Sequence, residues 1–244
     1  MVSICPTVTT DNPATYRLQI EQTLGYAHRL HIDLSDGIFT NNKLIDIDEV
    51  WWPGGVRADL HVMYADPFEH AQALIALQPQ LVIVHAEAEG DFGAFADRLR
   101  HHGIEAGVAL LPQTPVSAIA PALDLIDHVL IFSGNLGHFG GLADLKLLEK
   151  VQEVRRLKPT VEIGWDGGVN DQNAKTLADA GVDVLNVGGF LHGAQDPTAA
   201  YYALQAAVTG QAAAQQSPTQ SRTTEDEQDE FPWKPLDDDE DGLF

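Results

Sequence analysis

Basic residues are scarce in this chain: 14 Lys and Arg stand against 36 Asp and Glu, for a formal net charge of −22 over 244 residues. A surface of that sign repels nucleic-acid phosphates and anionic membranes, so neither is expected as a partner. Cysteine is scarcer still. The single Cys5 rules out an intramolecular disulfide framework. Apolar runs long enough to span a bilayer are missing. So is a basic, signal-like leader, because Met1 is followed directly by the strand-like Val2-Ser3-Ile4-Cys5. The expectation from these absences is a soluble, cytoplasmic protein.

The acidic charge is unevenly spread. Residues 211–244 hold ten Asp or Glu and two bases, a net −8 that leaves −14 for the body before them. That segment opens on Gln211-Ala212-Ala213-Ala214-Gln215-Gln216 and turns to Ser, Thr, Pro and acid, with too few apolar groups to offset the entropy of ordering. It is expected to be a disordered acidic C-terminal tail. Phe231, Pro232, Trp233 and Leu236 form an aromatic island within it. The island reads either as a docking motif for a protein partner or for the chain's own body, or as part of a solvated segment that aids solubility.

What the body does contain is a rhythm. β-branched, apolar runs recur about every 25 residues, the size of one strand-plus-helix unit, at 2–5, 29–34, 56–62, 81–85, 105–110, 128–132, 161–165 and 183–187. Between them, 142–157, 171–180 and 197–208 carry the three- and four-residue apolar spacing of helices. Eight strands alternating with helices within about 210 residues predict a single α/β domain over residues 1–210, a (β/α)8 TIM barrel. An open doubly wound sheet is the alternative, but it gives no reason for polar residues to sit at the ends of so many strands. Here Thr7, Asp33, Asp36, His61, His85, Glu87, Ser133, Asn135 and Asp166 all do.

Among those strand ends, His31-Ile32-Asp33-Leu34-Ser35-Asp36-Gly37 places an imidazole and a carboxylate two residues apart. Strand side chains repeat with period two, so both point to the same side. With His61 and Asp166, each at the end of another apolar run, they make a mixed nitrogen and oxygen set suited to one divalent ion of Zn, Fe, Mn or Co. Three glycine pairs, Gly140-Gly141, Gly167-Gly168 and Gly188-Gly189, fall after the last strands. Glycine lets backbone N–H groups approach a ligand closely, so these pairs predict a phosphate pocket built without lysine or arginine.

In this order the motifs resemble those of the ribulose-phosphate 3-epimerase family. The His31 to Gly37 stretch is similar to H-x-D-x-M-D-G, Leu60-His61-Val62-Met63 to x-H-L-M, and Val84-His85-Ala86-Glu87-Ala88 to V-H-x-E-A. Ser133-Gly134-Asn135-Leu136-Gly137-His138-Phe139-Gly140-Gly141 is similar to S-V-N-P-G-F-G-G, and Asp166-Gly167-Gly168-Val169 to D-G-G-[IV]. The resemblance runs from about residue 2 to about 209. It implies a divalent metal on His31, Asp33, His61 and Asp166, with Asp33 and Asp166 as acid and base on opposite faces of a ketose phosphate. Expected substrate contacts are Thr7, His61, Met63 and the six paired glycines, and a homo-oligomer is expected.

Ser35, Phe132, Leu136 and Leu142 depart from the family pattern, His138 resembles a one-residue insertion, and residues 38–42 differ as well. Ser35 in place of Met is expected to put a hydrogen-bonding group beside the reacting carbons. Three readings follow: interconversion of D-ribulose 5-phosphate and D-xylulose 5-phosphate; the same chemistry on another ketose phosphate, such as a hexulose 6-phosphate; or a non-catalytic sugar-phosphate-binding barrel acting through its tail. A decarboxylase or aldolase on a related barrel would call for a lysine near the chemistry, and no proposed strand end carries one.

Overall fold

The computed structural model describes residues 2–138 and 140–210. The tail at 211–244, with its expected disorder, its boundary and its aromatic island, lies outside the described residues. Eight strands form: β1 (Ser3–Val8), β2 (Arg29–Ser35), β3 (Arg57–Met63), β4 (Leu81–His85), β5 (Glu105–Leu110), β6 (His128–Phe132), β7 (Glu162–Asp166) and β8 (Val184–Val187). Each pairs in parallel with the next, and β1 pairs with β8, closing a barrel. The α-helices are α1 (Pro13–Thr23), α2 (Ala71–Ala76), α3 (Phe92–His101), α4 (Leu148–Leu157), α5 (Ala174–Asp179), α6 (Gly189–His192) and α7 (Pro197–Thr209). No helix among the described residues is long and apolar enough to cross a membrane.

Period-two alternation sorts the strand residues into two cores. Leu30, Ile32, Leu34, Val82, Val84, Val129 and Ile131 join the large core between barrel and helices. Their sequence neighbours Leu81, Ile83, Ala109 and Leu130 form a separate small core inside the barrel. The amino-terminal end of the barrel is closed by charge. Arg29 donates from Nε to Asp59 (2.7 Å) and from both terminal nitrogens to Glu162 (2.9 and 2.7 Å), which also lies 2.8 Å from His128 Nδ1. This bidentate arrangement is the favourable geometry for a buried guanidinium.

Helix starts follow local chemistry. Asn12 accepts the Ala14 and Thr15 N–H groups just ahead of Pro13, and Asp91 and Asp196 cap α3 and α7 in the same way. The helix expected over 142–157 starts later, because Asp144 caps a short 3-10 turn at Leu145–Leu147 before α4 begins. The expected strict alternation of strand and helix fails in two places. The β2–β3 connection holds only the 3-10 turn Ile47–Glu49, and β5–β6 only Val116–Ala118 and Ala120–Leu125. Pro112, Pro115 and Pro121 interrupt the second of these connections, and Pro53-Gly54-Gly55 the first, removing the N–H donors and φ range a longer helix needs.

Candidate active site and metal centre

The strand register builds the site. Asp33 lies opposite His61 across β2 and β3, Thr7 opposite His31, and Asp166 opposite both Phe132 and Asn186. One donor atom each from His31, Asp33, His61 and Asp166 falls within 4.8 Å of the others. His61 Nδ1 is 2.9 Å from Asp33 Oδ1 and 3.8 Å from Asp166 Oδ2; His31 Nε2 is 3.3 Å and 3.9 Å from the same two oxygens. Both imidazoles are fully buried, and among the described residues neither ring nitrogen of His31 has a partner in hydrogen-bond geometry. An orphaned imidazole aimed at two buried carboxylates fits a divalent cation, which would satisfy the lone pair and neutralise the acids.

The carboxylates differ in character. Burial works against ionising Asp33, but the adjoining imidazoles of His31 and His61 hold it well below the usual carboxylate range, and its Oδ2 accepts the Thr9 hydroxyl at 2.6 Å. Burial, reinforced by the charge of Asp33, pushes Asp166 up to about 6. Two acids in contact with one site thus have opposite tendencies to hold a proton. Next to them, burial holds the His85 imidazole down at about 4.

Above the cluster lies a cavity of about 350 Å³ at the carboxyl ends of the strands. Asp33, Asp166, Thr7, Met63, Gly140, Gly141, Gly167, Gly168, Gly188 and Gly189 all line it. His31 and His61, both fully buried, do not line it. The glycines admit close backbone approach. At φ +105°, a Cβ on Gly167 would stand 2.2 Å from Gly134 N, and at φ +71° one on Gly168 would stand 2.2 Å from Ala143 N. The loops after β6 and β7 therefore touch backbone to backbone.

Some site residues were not singled out by sequence reasoning. Thr9 and Asn186 line the cavity, and Asn186, only 3% exposed, has neither side-chain polar atom hydrogen-bonded. The buried Thr7 hydroxyl is also unpartnered. A signal for Asn186 existed: it is the one polar side chain in the apolar run Val184-Leu185-Asn186-Val187. Other strand-end residues serve the scaffold. Asp36 accepts the N–H groups of Ile38, Phe39 and Ala65, and Ser133 accepts that of Asp144.

Ser35 corrects an expectation. It does not line the cavity, being 1% exposed with its hydroxyl 3.0 Å from Thr40 Oγ1 and accepting the Gly37 N–H at 3.2 Å. A side chain this short is satisfied by the turn that follows β2, and Met63 and Phe132 line the cavity instead.

A closed (β/α)8 barrel with paired histidines and aspartates beside a glycine-walled cavity at the carboxyl ends of its strands has the layout of the barrel enzymes, whose sites lie at that end. Solved barrels match it in fold: 3-hexulose-6-phosphate synthase from Salmonella typhimurium (TM-score 0.67, 12% identity, 86% of this chain and 99% of that one) and 3-keto-L-gulonate-6-phosphate decarboxylase from Vibrio cholerae (TM-score 0.66, 12% identity, 86% and 98%). Sequence comparison is more specific. The model of the ribulose-phosphate 3 epimerase family matches residues 3–192. Ribulose-phosphate 3-epimerase of Bacillus subtilis is 31% identical over 206 residues, covering 80% of this chain and 94% of that protein. Chloroplastic ribulose-5-phosphate-3-epimerase of Arabidopsis thaliana is 30% identical over 208 residues, covering 80% and 73%. The chain belongs to the ribulose-phosphate 3-epimerase family and is an enzyme of the isomerase class.

Proposed function

We propose that this chain is a metal-dependent 3-epimerase that interconverts D-ribulose 5-phosphate and D-xylulose 5-phosphate. The observation that carries this reading is the pairing of Asp33 and Asp166, both lining the cavity and differing in their hold on a proton. Epimerisation at the carbon beside a ketone needs one group to take the C3 proton, leaving the electron pair delocalised as an enediolate. A second group must return a proton to the opposite face. One carboxylate serves each face, and microscopic reversibility exchanges their roles in the reverse direction. His31, Asp33, His61 and Asp166 would hold one divalent ion, of Zn, Fe, Mn or Co, whose positive charge would offset the charge developing on the enediolate oxygens. The unpartnered Thr7 hydroxyl and Asn186 amide offer hydrogen bonds to the sugar. Among the described residues no Lys or Arg lines the cavity, so the phosphate is left to backbone N–H groups among Gly140, Gly141, Gly167, Gly168, Gly188 and Gly189.

Solvent exchange tests the assignment. With metal content first verified, Asp33→Asn and Asp166→Asn are each incubated in heavy water with either ketose phosphate. Each variant should lose epimerisation, one exchanging the C3 proton only from ribulose 5-phosphate and the other only from xylulose 5-phosphate. Wild-type epimerisation rates in both metal-loaded variants would overturn the two-carboxylate reading. A wild-type chain inert toward both pentulose phosphates but active on a hexulose 6-phosphate would move the substrate.

A further inference from the structure

Asn186 stands on the cavity wall as a buried polar side chain without a bond. Leu185 and Val187 on either side of it join the large core between barrel and helices, so alternation along β8 turns Asn186 to the barrel interior. It lines the cavity and is 3% exposed. Among the described residues neither Oδ1 nor Nδ2 has a hydrogen-bond partner, although the strand register sets Asn186 between Cys5 of β1 and Asp166 of β7. An amide that positioned Asp166 would be bonded to it. Packing alone does not call for an amide either, because leucine has nearly the same shape and buries no unsatisfied polar atoms. What remains is a partner that arrives with the ligand.

The position of Asn186 along the substrate identifies that partner. Asp166, its register neighbour, serves one face of C3 in the mechanism above. Gly188 and Gly189, two and three residues further along the chain, line the same cavity where the phosphate is assigned. Thr7, whose hydroxyl is also unpartnered, stands opposite His31 across β1 and β2 and so belongs to the metal end. In a pentulose 5-phosphate only C4 lies between the reacting carbon and the phosphate-bearing C5, and it carries one hydroxyl. That hydroxyl can donate to the amide oxygen and accept from the amide nitrogen of a second rotamer. We propose that Asn186 is a specificity-determining residue that hydrogen-bonds the C4 hydroxyl, so that the enzyme selects ketose phosphates with a hydroxyl at that carbon. This rests on the pentulose phosphate reading above.

The test crosses substrate with side chain on the metal-loaded full chain. Epimerisation of D-ribulose 5-phosphate, its 4-deoxy analogue and its 1-deoxy analogue is followed by NMR with wild type and Asn186→Leu. In wild type the 4-deoxy analogue should have a kcat/KM lower by about 10–100-fold, because it leaves the buried amide unpaired. Asn186→Leu should lose a similar factor on D-ribulose 5-phosphate and no longer prefer it to the 4-deoxy analogue, a coupling that general damage to the wall would not produce. Preference over the 1-deoxy analogue should be the same in both proteins. If wild type handles the 4-deoxy analogue as well as D-ribulose 5-phosphate, a result that needs no variant, the role of Asn186 is overturned while the epimerase reading stands. The same holds if Asn186→Leu keeps the wild-type discrimination at C4, or alters discrimination at C1 instead. A metal-loaded wild type inert toward both D-ribulose 5-phosphate and D-xylulose 5-phosphate would overturn the pentulose reading and this assignment together.

Discussion

Replacing Asp166 with Asn should stabilise the metal-free protein while disabling the enzyme. The residue is only 9% exposed, and its Oδ2 stands 3.9 Å from His31 and 3.8 Å from His61, so an amide there forfeits no hydrogen bond to either ring. What it removes is a charge held against burial and against Asp33. Asp166 ionises at about 6 in the folded chain, against 3.8 for an unperturbed aspartate. Its folded value is raised, so its contribution to native stability is fully present below about pH 4, falls as pH rises through 6, and stays lost above that. At about 1.4 kcal/mol per tenfold, the loss reaches at most about 3 kcal/mol. Asn never ionises and escapes it. At about 2–4 °C per kcal/mol for a domain of this size, metal-free Asp166→Asn should melt roughly 3–10 °C above wild type at pH 7.5, with the gap closing near pH 4. Metal-loaded activity should fall by about 10²–10⁴-fold, the usual contribution of a proton-transferring group. Thermal melts of chelator-treated protein from pH 4 to 8, beside a coupled epimerase assay, read both effects. A lower melting temperature at pH 7.5, or a difference that does not change with pH, would refute the electrostatic argument, and retained activity would refute the catalytic one.

Two further outcomes follow from packing. Gly168→Ala would set a Cβ 2.2 Å from Ala143 N and 2.5 Å from Leu142 C, so the loops after β6 and β7 must part. KM for the ketose phosphate should rise by about tenfold or more, since displacements near 1 Å are costly in a positioned site, whereas Gly54→Ala, with nothing within 4 Å, should leave it unchanged. Arg29→Met would strand the Asp59 carboxylate, 1% exposed, at the closed end of the barrel. Urea melts should show a loss of about 3–5 kcal/mol, largely recovered in Arg29→Met/Asp59→Leu, and a single-variant loss under about 1 kcal/mol would contradict the buried-charge account.

Local chemistry in the sequence laid out the eight strands, the barrel they imply, the His31, Asp33, His61 and Asp166 cluster that could hold a metal, and the glycine pairs. Each of these is written in local chemistry: β-branched runs mark strands, and period two puts His31 and Asp33 on one face without reference to any other element. It could not show which interior residues meet, because that depends on register and closure between strands far apart in the chain. Arg29 and Glu162 are 133 residues apart and pair only because the sheet closes on itself. His85 meets His61, and Thr9 meets Asp33, for the same reason. The fate of Ser35 was likewise tertiary, since a hydroxyl at a strand end can face a ligand or satisfy its own turn, and here Thr40 and Gly37 take it. Residue type and spacing therefore identified which groups could do chemistry, and barrel closure decided which of them share a proton, a cavity wall or a buried charge.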